Sequence, residues 1–140
     1  MRRIAMALVS GLAVAWSAAA LAQAPEKFPL ELNRLEQDGE ICRVYLKVQN
    51  PEATEVKAFK LDLVFFDQEE IIRNRLYVEL GPLAPSKTAV RLFDIPDFQC
   101  GALGSILVND VVACADAAGE QLNCLGRLDL SSKAGVALNY

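Results

Sequence analysis

The chain has 140 residues, with 14 basic and 18 acidic side chains, no histidine and a formal net charge of −4. An acidic chain without a basic cluster is a poor match for nucleic acid or for an anionic membrane surface. Without histidine, Ser-His-Asp and Cys-His catalysis fall away, and so do metal sites that rely on imidazole.

The first 22 residues read as a signal peptide. Arg2 and Arg3 form a positive start, Ile4 to Ala15 an apolar run shorter than a membrane span, and Ala20-Leu21-Ala22 a small-residue cleavage site. Cleavage after Ala24 would leave Pro25 at the new N-terminus, so Ala22 is preferred. Arg2-Arg3 is compatible with Tat export, but Ile4-Ala5-Met6 lacks the usual Tat context, and an ordinary Sec signal is the simpler reading. The mature chain is expected in the periplasm or outside the cell. It has 118 residues and twelve basic against 18 acidic side chains, a net −6. That is the size of one domain, and no second apolar stretch approaches a membrane span. The expected division is a signal at 1–22, one domain at 23–130 and a loosely held tail at 131–140.

Period two dominates the domain. Phe28, Leu30 and Leu32 alternate with polar or neutral residues, and Arg34 to Glu40 reads as a turn. Cys42, Val44, Leu46 and Val48 alternate with Arg43, Tyr45, Lys47 and Gln49, and Asn50-Pro51 ends the run. Phe59 to Phe66 becomes apolar on both faces, as a central strand does. Ile71 to Leu80, Thr88 to Ile95 and Ile106 to Ala113 complete the set, with Gly81-Pro82 to Pro85-Ser86 marking a crossing between sheets. Helical signal is confined to one short turn between Asp97 and Ser105. Six to seven short strands in about 100 residues predict an all-β, immunoglobulin-like or fibronectin-like β-sandwich.

Cys42, Cys100, Cys114 and Cys124 are an even set in an oxidising compartment and predict two disulfides. Three pairings are possible. The polar stretch between Cys114 and Cys124 suits a local clip, which leaves Cys42 with Cys100. Zinc is disfavoured, because the chain has no histidine and no C-x-x-C.

Chemistry is sparse. No phosphate-binding loop or dinucleotide fingerprint occurs. Asp62, Asp67, Asp94, Asp97 and Asp110 are scattered over strands and turns, where they read as solvent-facing or turn-capping residues rather than an acid/base pair or a calcium site. Asn109-Asp110 interrupts the apolar run Ile106 to Val112, so it is expected at a β-bulge or an edge, with a ligand or partner contact as the functional alternative. Tyr45, Phe66, Tyr77 and Phe93 lie out of phase with the clearest buried residues of their strands. Sharing one sheet face, they would form a partner-binding patch. Val136, Leu138 and Tyr140 alternate and end on an aromatic residue, as the last strand of many outer-membrane barrels does. Because the strands here are shorter and are interrupted by prolines and four cysteines, coincidence is the reading preferred, with pairing of the tail as an edge strand left open.

Cys42-Arg43-Val44-Tyr45-Leu46, Phe59 to Asp67, and the block from Val90-Arg91-Leu92-Phe93-Asp94 through Cys100 to Asn109-Asp110 and Cys114 resemble a small exported α-proteobacterial family labelled as Tat pathway signal sequence domain proteins. The resemblance covers most of the mature chain and implies export. Its motifs are structural, so it carries over no catalytic residue, metal or cofactor. The functional expectation is a non-enzymatic accessory module that binds another envelope protein on a sheet face or edge strand. A calcium- or carbohydrate-binding domain, or a carboxylate-based hydrolase, is the alternative.

Overall fold

The computed structural model describes residues 24–140; the expected signal segment, 1–22, lies outside them. Eight strands build two four-stranded sheets. The first sheet contains β1 (Phe28–Asp38), β2 (Ile41–Gln49), β5 (Thr88–Ile95) and β7 (Leu128–Ser132), in the order β5-β2-β1-β7. The second contains β3 (Val56–Asp67), β4 (Ile72–Glu79), β6 (Leu103–Asp116) and β8 (Ala137–Asn139), in the order β4-β3-β6-β8. Strands β1, β2 and β5 face β4, β3 and β6, the division of an immunoglobulin-like sandwich.

Period-two patterning sets the faces. In β2, Cys42, Val44, Leu46 and Val48 are buried, while Arg43, Tyr45 and Lys47 point outward. In β3, Phe59, Leu61, Leu63 and Phe65 face the core, and Phe28 meets Phe59 edge-on at 5.5 Å. Outward-facing Val64 is also buried, because β3 lies between β4 and β6. From Leu80 to Lys87 the chain crosses between the sheets. Leu80 and Leu83 plug the core there, and Arg91 of β5 donates to the Leu80 and Pro82 carbonyls at 2.8 Å each.

Both disulfides have the pairing favoured from the sequence. Cys42–Cys100, with a Cα separation of 5.0 Å, ties the start of β2 to a 3-10 turn at Cys100–Ala102. Cys114–Cys124, at 6.0 Å, closes the loop after β6. The side chain of Gln37 accepts from Cys100 N–H and donates to the Gly39 and Ile41 carbonyls, holding the first link against the β1–β2 turn. In that turn Gly39 has φ 58°, which glycine adopts without strain.

Two expectations are corrected. Arg34 to Asp38 is not a turn but the second half of β1. After a register shift between Leu32 and Arg34, the pairing resumes as Arg34 opposite Tyr45 and continues to Asp38 opposite Ile41. A polar run is tolerated there because one face of an antiparallel pair meets water. Residues 131–140 are not a loose tail. Ser131 and Ser132 end β7, which runs parallel to β1, and Leu138 of β8 buries its side chain opposite Ile106. Three residues suffice for β8 because β6 offers a ready edge. Among the described residues the count is therefore eight strands rather than six or seven.

Candidate functional site

The four aromatic residues do not form one patch. Tyr45 lies on the outer face of the first sheet, its hydroxyl donating to Glu36 Oε2 at 3.2 Å under the Arg34 guanidinium. Phe93 points the other way. It is half-buried, with its ring 6.0 Å from core residue Phe65. The inward set of β5 is Ala89, Arg91, Phe93 and Ile95, while Val90 and Leu92, each 53% exposed, face solvent. Two exposed aliphatics on an edge strand imitate a core phase, which is why periodicity misassigns Phe93. Phe66 and Tyr77 do share the outer face of the second sheet, and Tyr77 is 57% exposed.

On that face sits a buried carboxylate. Asp62, in the middle of β3, is 1% exposed although it points away from the core. Arg75 of β4 grips it with two parallel bonds, Nε to Oδ1 at 2.7 Å and Nη2 to Oδ2 at 2.6 Å. Asn109 Nδ2 donates to Oδ2 at 2.7 Å. Such charge-assisted pairs favour the ionised acid. The Arg75 bonds first, and the Asn109 bond with them, hold Asp62 below the usual carboxylate range against its desolvation, and the pairing raises Arg75. The Arg75 guanidinium stands 5.6 Å from the Tyr77 ring centroid.

Asn109-Asp110 is a bulge, one of the two structural alternatives read from the sequence. Asp110 pairs with Asp62, but Val108 pairs with Leu63, so Asn109 is the extra residue; a second shift skips Val112. In a straight strand one of two consecutive residues faces inward. Here Asn109 and Asp110 are both exposed. Asp110 Oδ1 accepts from Val111 N–H.

The remaining carboxylates serve structure. Asp67 accepts from Glu69 N–H and Ile71 N–H and pairs with Arg73, and its carboxyl is lowered chiefly by the Ile71 bond. Asp94 is gripped by Arg43 on the outer face of the first sheet. Asp97 is a turn residue with φ 50°. Only Asp62 and Asp110 are brought opposite one another. Arg75 is the residue that sequence reasoning passed over. The available signal was a lone aspartate inside a strand apolar on both faces, which demands a cation from its hairpin partner.

The other exposed feature is an edge. β5 pairs with β2 from Thr88 to Ile95 without a register shift, and among the described residues its opposite side carries no strand. Edge strand β4, on the other sheet, exposes Ile72 beside Ile71. Concave sites are shallow. A hollow of ≈ 350 Å³ beside Cys114–Cys124 is lined by Val112, Gln121 and Asn123 among others, without a charged side chain. Among the described residues no group of three or more metal-ligating side chains comes together, and no helix is long and apolar enough to cross a membrane. Compared with family models, curated proteins and solved structures, the chain matches none.

Proposed function

We propose that the chain is an exported, non-enzymatic accessory module of the cell envelope, which binds another envelope protein by taking an extended segment of it onto β5. The observation that carries this reading is the regularity of that edge. Eight consecutive residues pair with β2 without a bulge, and their free side offers backbone donors and acceptors that an added strand satisfies.

Soluble proteins normally blunt such an edge with bulges or outward charges. On β5 the central charge is withdrawn. Arg91 turns to the Leu80 and Pro82 carbonyls, and Asp94 is tied to Arg43, so Val90 and Leu92 are left to meet a partner. Export is supported by the signal-like residues 1–22 and by two disulfides, which persist in oxidising compartments.

The test is site-specific photo-crosslinking in cells, with the crosslinker at position 90 or 92. One envelope protein captured from both positions, and lost in a Val90→Glu, Leu92→Lys variant that melts like the parent, is the expected result. Capture that is indifferent to those substitutions, or no capture, overturns the reading.

A further inference from the structure

We infer that the outer face of the second sheet carries a second binding site, for a neutral polyhydroxylated ligand of the glycan class, built by Tyr77, Arg75, Asn109 and Asp110 around the buried Asp62.

Position comes first. Tyr77, Asp62 and Asp110 stand in one row across β4, β3 and β6. The row is two strand spacings wide, about 10 Å. At one end is an exposed aromatic ring, whose apolar body suits the C–H face of a sugar and whose hydroxyl stays wet. At the other end the bulge turns two consecutive polar residues, Asn109 and Asp110, to the same side. Bulges are a recurrent means of re-aiming side chains at sites.

The inventory of polar atoms selects the ligand. Arg75 spends Nε and Nη2 on Asp62, which leaves Nη1 to donate outward. Asn109 spends one amide N–H on Asp62, which leaves its carbonyl oxygen to accept and the other N–H to donate. Asp110 Oδ2 accepts, and the Tyr77 hydroxyl does either. A mixed set of donors and acceptors beside a ring matches hydroxyls, each of which donates and accepts. Charge narrows the class. Arg75 cancels Asp62, so Asp110 leaves the group negative, and a phosphate, sulfate or uronate would meet repulsion.

Burial of Asp62 then acquires a use. A carboxylate 1% exposed and bonded three times fixes the rotamers of Arg75 and Asn109 before any ligand arrives. Groups already ordered lose less entropy on binding. This site lies on the opposite sheet from β5, so it stands or falls independently of the protein-binding reading.

The experiment is an amide NMR titration of the mature chain with chitotetraose and with cellotetraose, using tetragalacturonate as the anionic comparison. Saturable shifts centred on Tyr77, Asn109 and Asp110 with a neutral sugar, and none with tetragalacturonate, are expected. Tyr77→Ala should weaken binding about tenfold without moving the melting temperature, while Tyr77→Phe keeps most of it. The inference is overturned by absence of shifts with both neutral sugars, by shifts centred on β5, by equal binding of tetragalacturonate, or by Tyr77→Ala binding like the parent.

Discussion

Asp62 and Arg75 face each other across the β3–β4 hairpin through two parallel hydrogen bonds, yet one partner is sealed and the other is not: Asp62 is 1% exposed, while 53% of the Arg75 side chain meets solvent. Their removal should therefore be unequal. Asp62→Leu frees an arginine that can turn to water. Arg75→Leu strands a carboxylate that keeps only Asn109, and an unsatisfied buried charge is the costlier defect. Urea denaturation at neutral pH should show Arg75→Leu as the less stable variant; the reverse order would contradict this account.

Acid should weaken the domain through the same residue. The carboxyls of Asp62 and Asp67 are both held below their ordinary value, by Arg75 and by the Ile71 N–H respectively. A depressed folded pKa gives stability that is fully present above the unfolded value of about 4 and is lost as pH falls through the folded values. Urea midpoints should be flat from pH 7 to about 5 and fall below about 4. The deficit of Arg75→Leu should shrink over that fall, because protonation neutralises the stranded Asp62.

The two disulfides close loops of different size, with sequence separations of 58 and 10. In the chain-entropy model the paired substitution Cys42→Ala, Cys100→Ala should cost about 4 kcal/mol, and Cys114→Ala, Cys124→Ala about 3 kcal/mol. Guanidinium denaturation of the two double variants measures both.

Phe93 and Tyr77 separate core from surface. Phe93→Ala empties space beside Phe65 and, at a half-buried site, should cost about 2–3 kcal/mol. Tyr77→Ala should stay within about 1 kcal/mol, since the ring lies outside the core. Melting curves of the two variants check the assignment.

How far these residues were readable depends on which force places them. Burial with period two is a local signal, so Cys42 to Val48 and Phe59 to Phe65 declare their inward faces unaided. At an edge that signal inverts, because Val90 and Leu92 keep their hydrophobicity where no second layer covers them. Asn109-Asp110 announced an irregularity, because a polar pair inside an apolar run has few other resolutions. Its grip on Asp62 was silent, since a contact between residues 47 apart depends on strand register, which a bulge resets. The alternation of Val136, Leu138 and Tyr140 left an edge strand open but did not show its partner: segments as short as β7 and β8 become strands only when a longer strand offers them an edge.

Arg127 adds a last consequence. Its Nε bonds the Glu26 carbonyl 101 residues away, beside the parallel pairing of β1 with β7. Strand β1 thus waits for residues about 100 positions further along the chain before its outer neighbour exists. During synthesis the backbone of β1 remains unclaimed on that side, and loop closure over such a distance is slow. Whatever shields an emerging polypeptide from pairing with its neighbours must hold β1 until Leu128–Ser132 arrive.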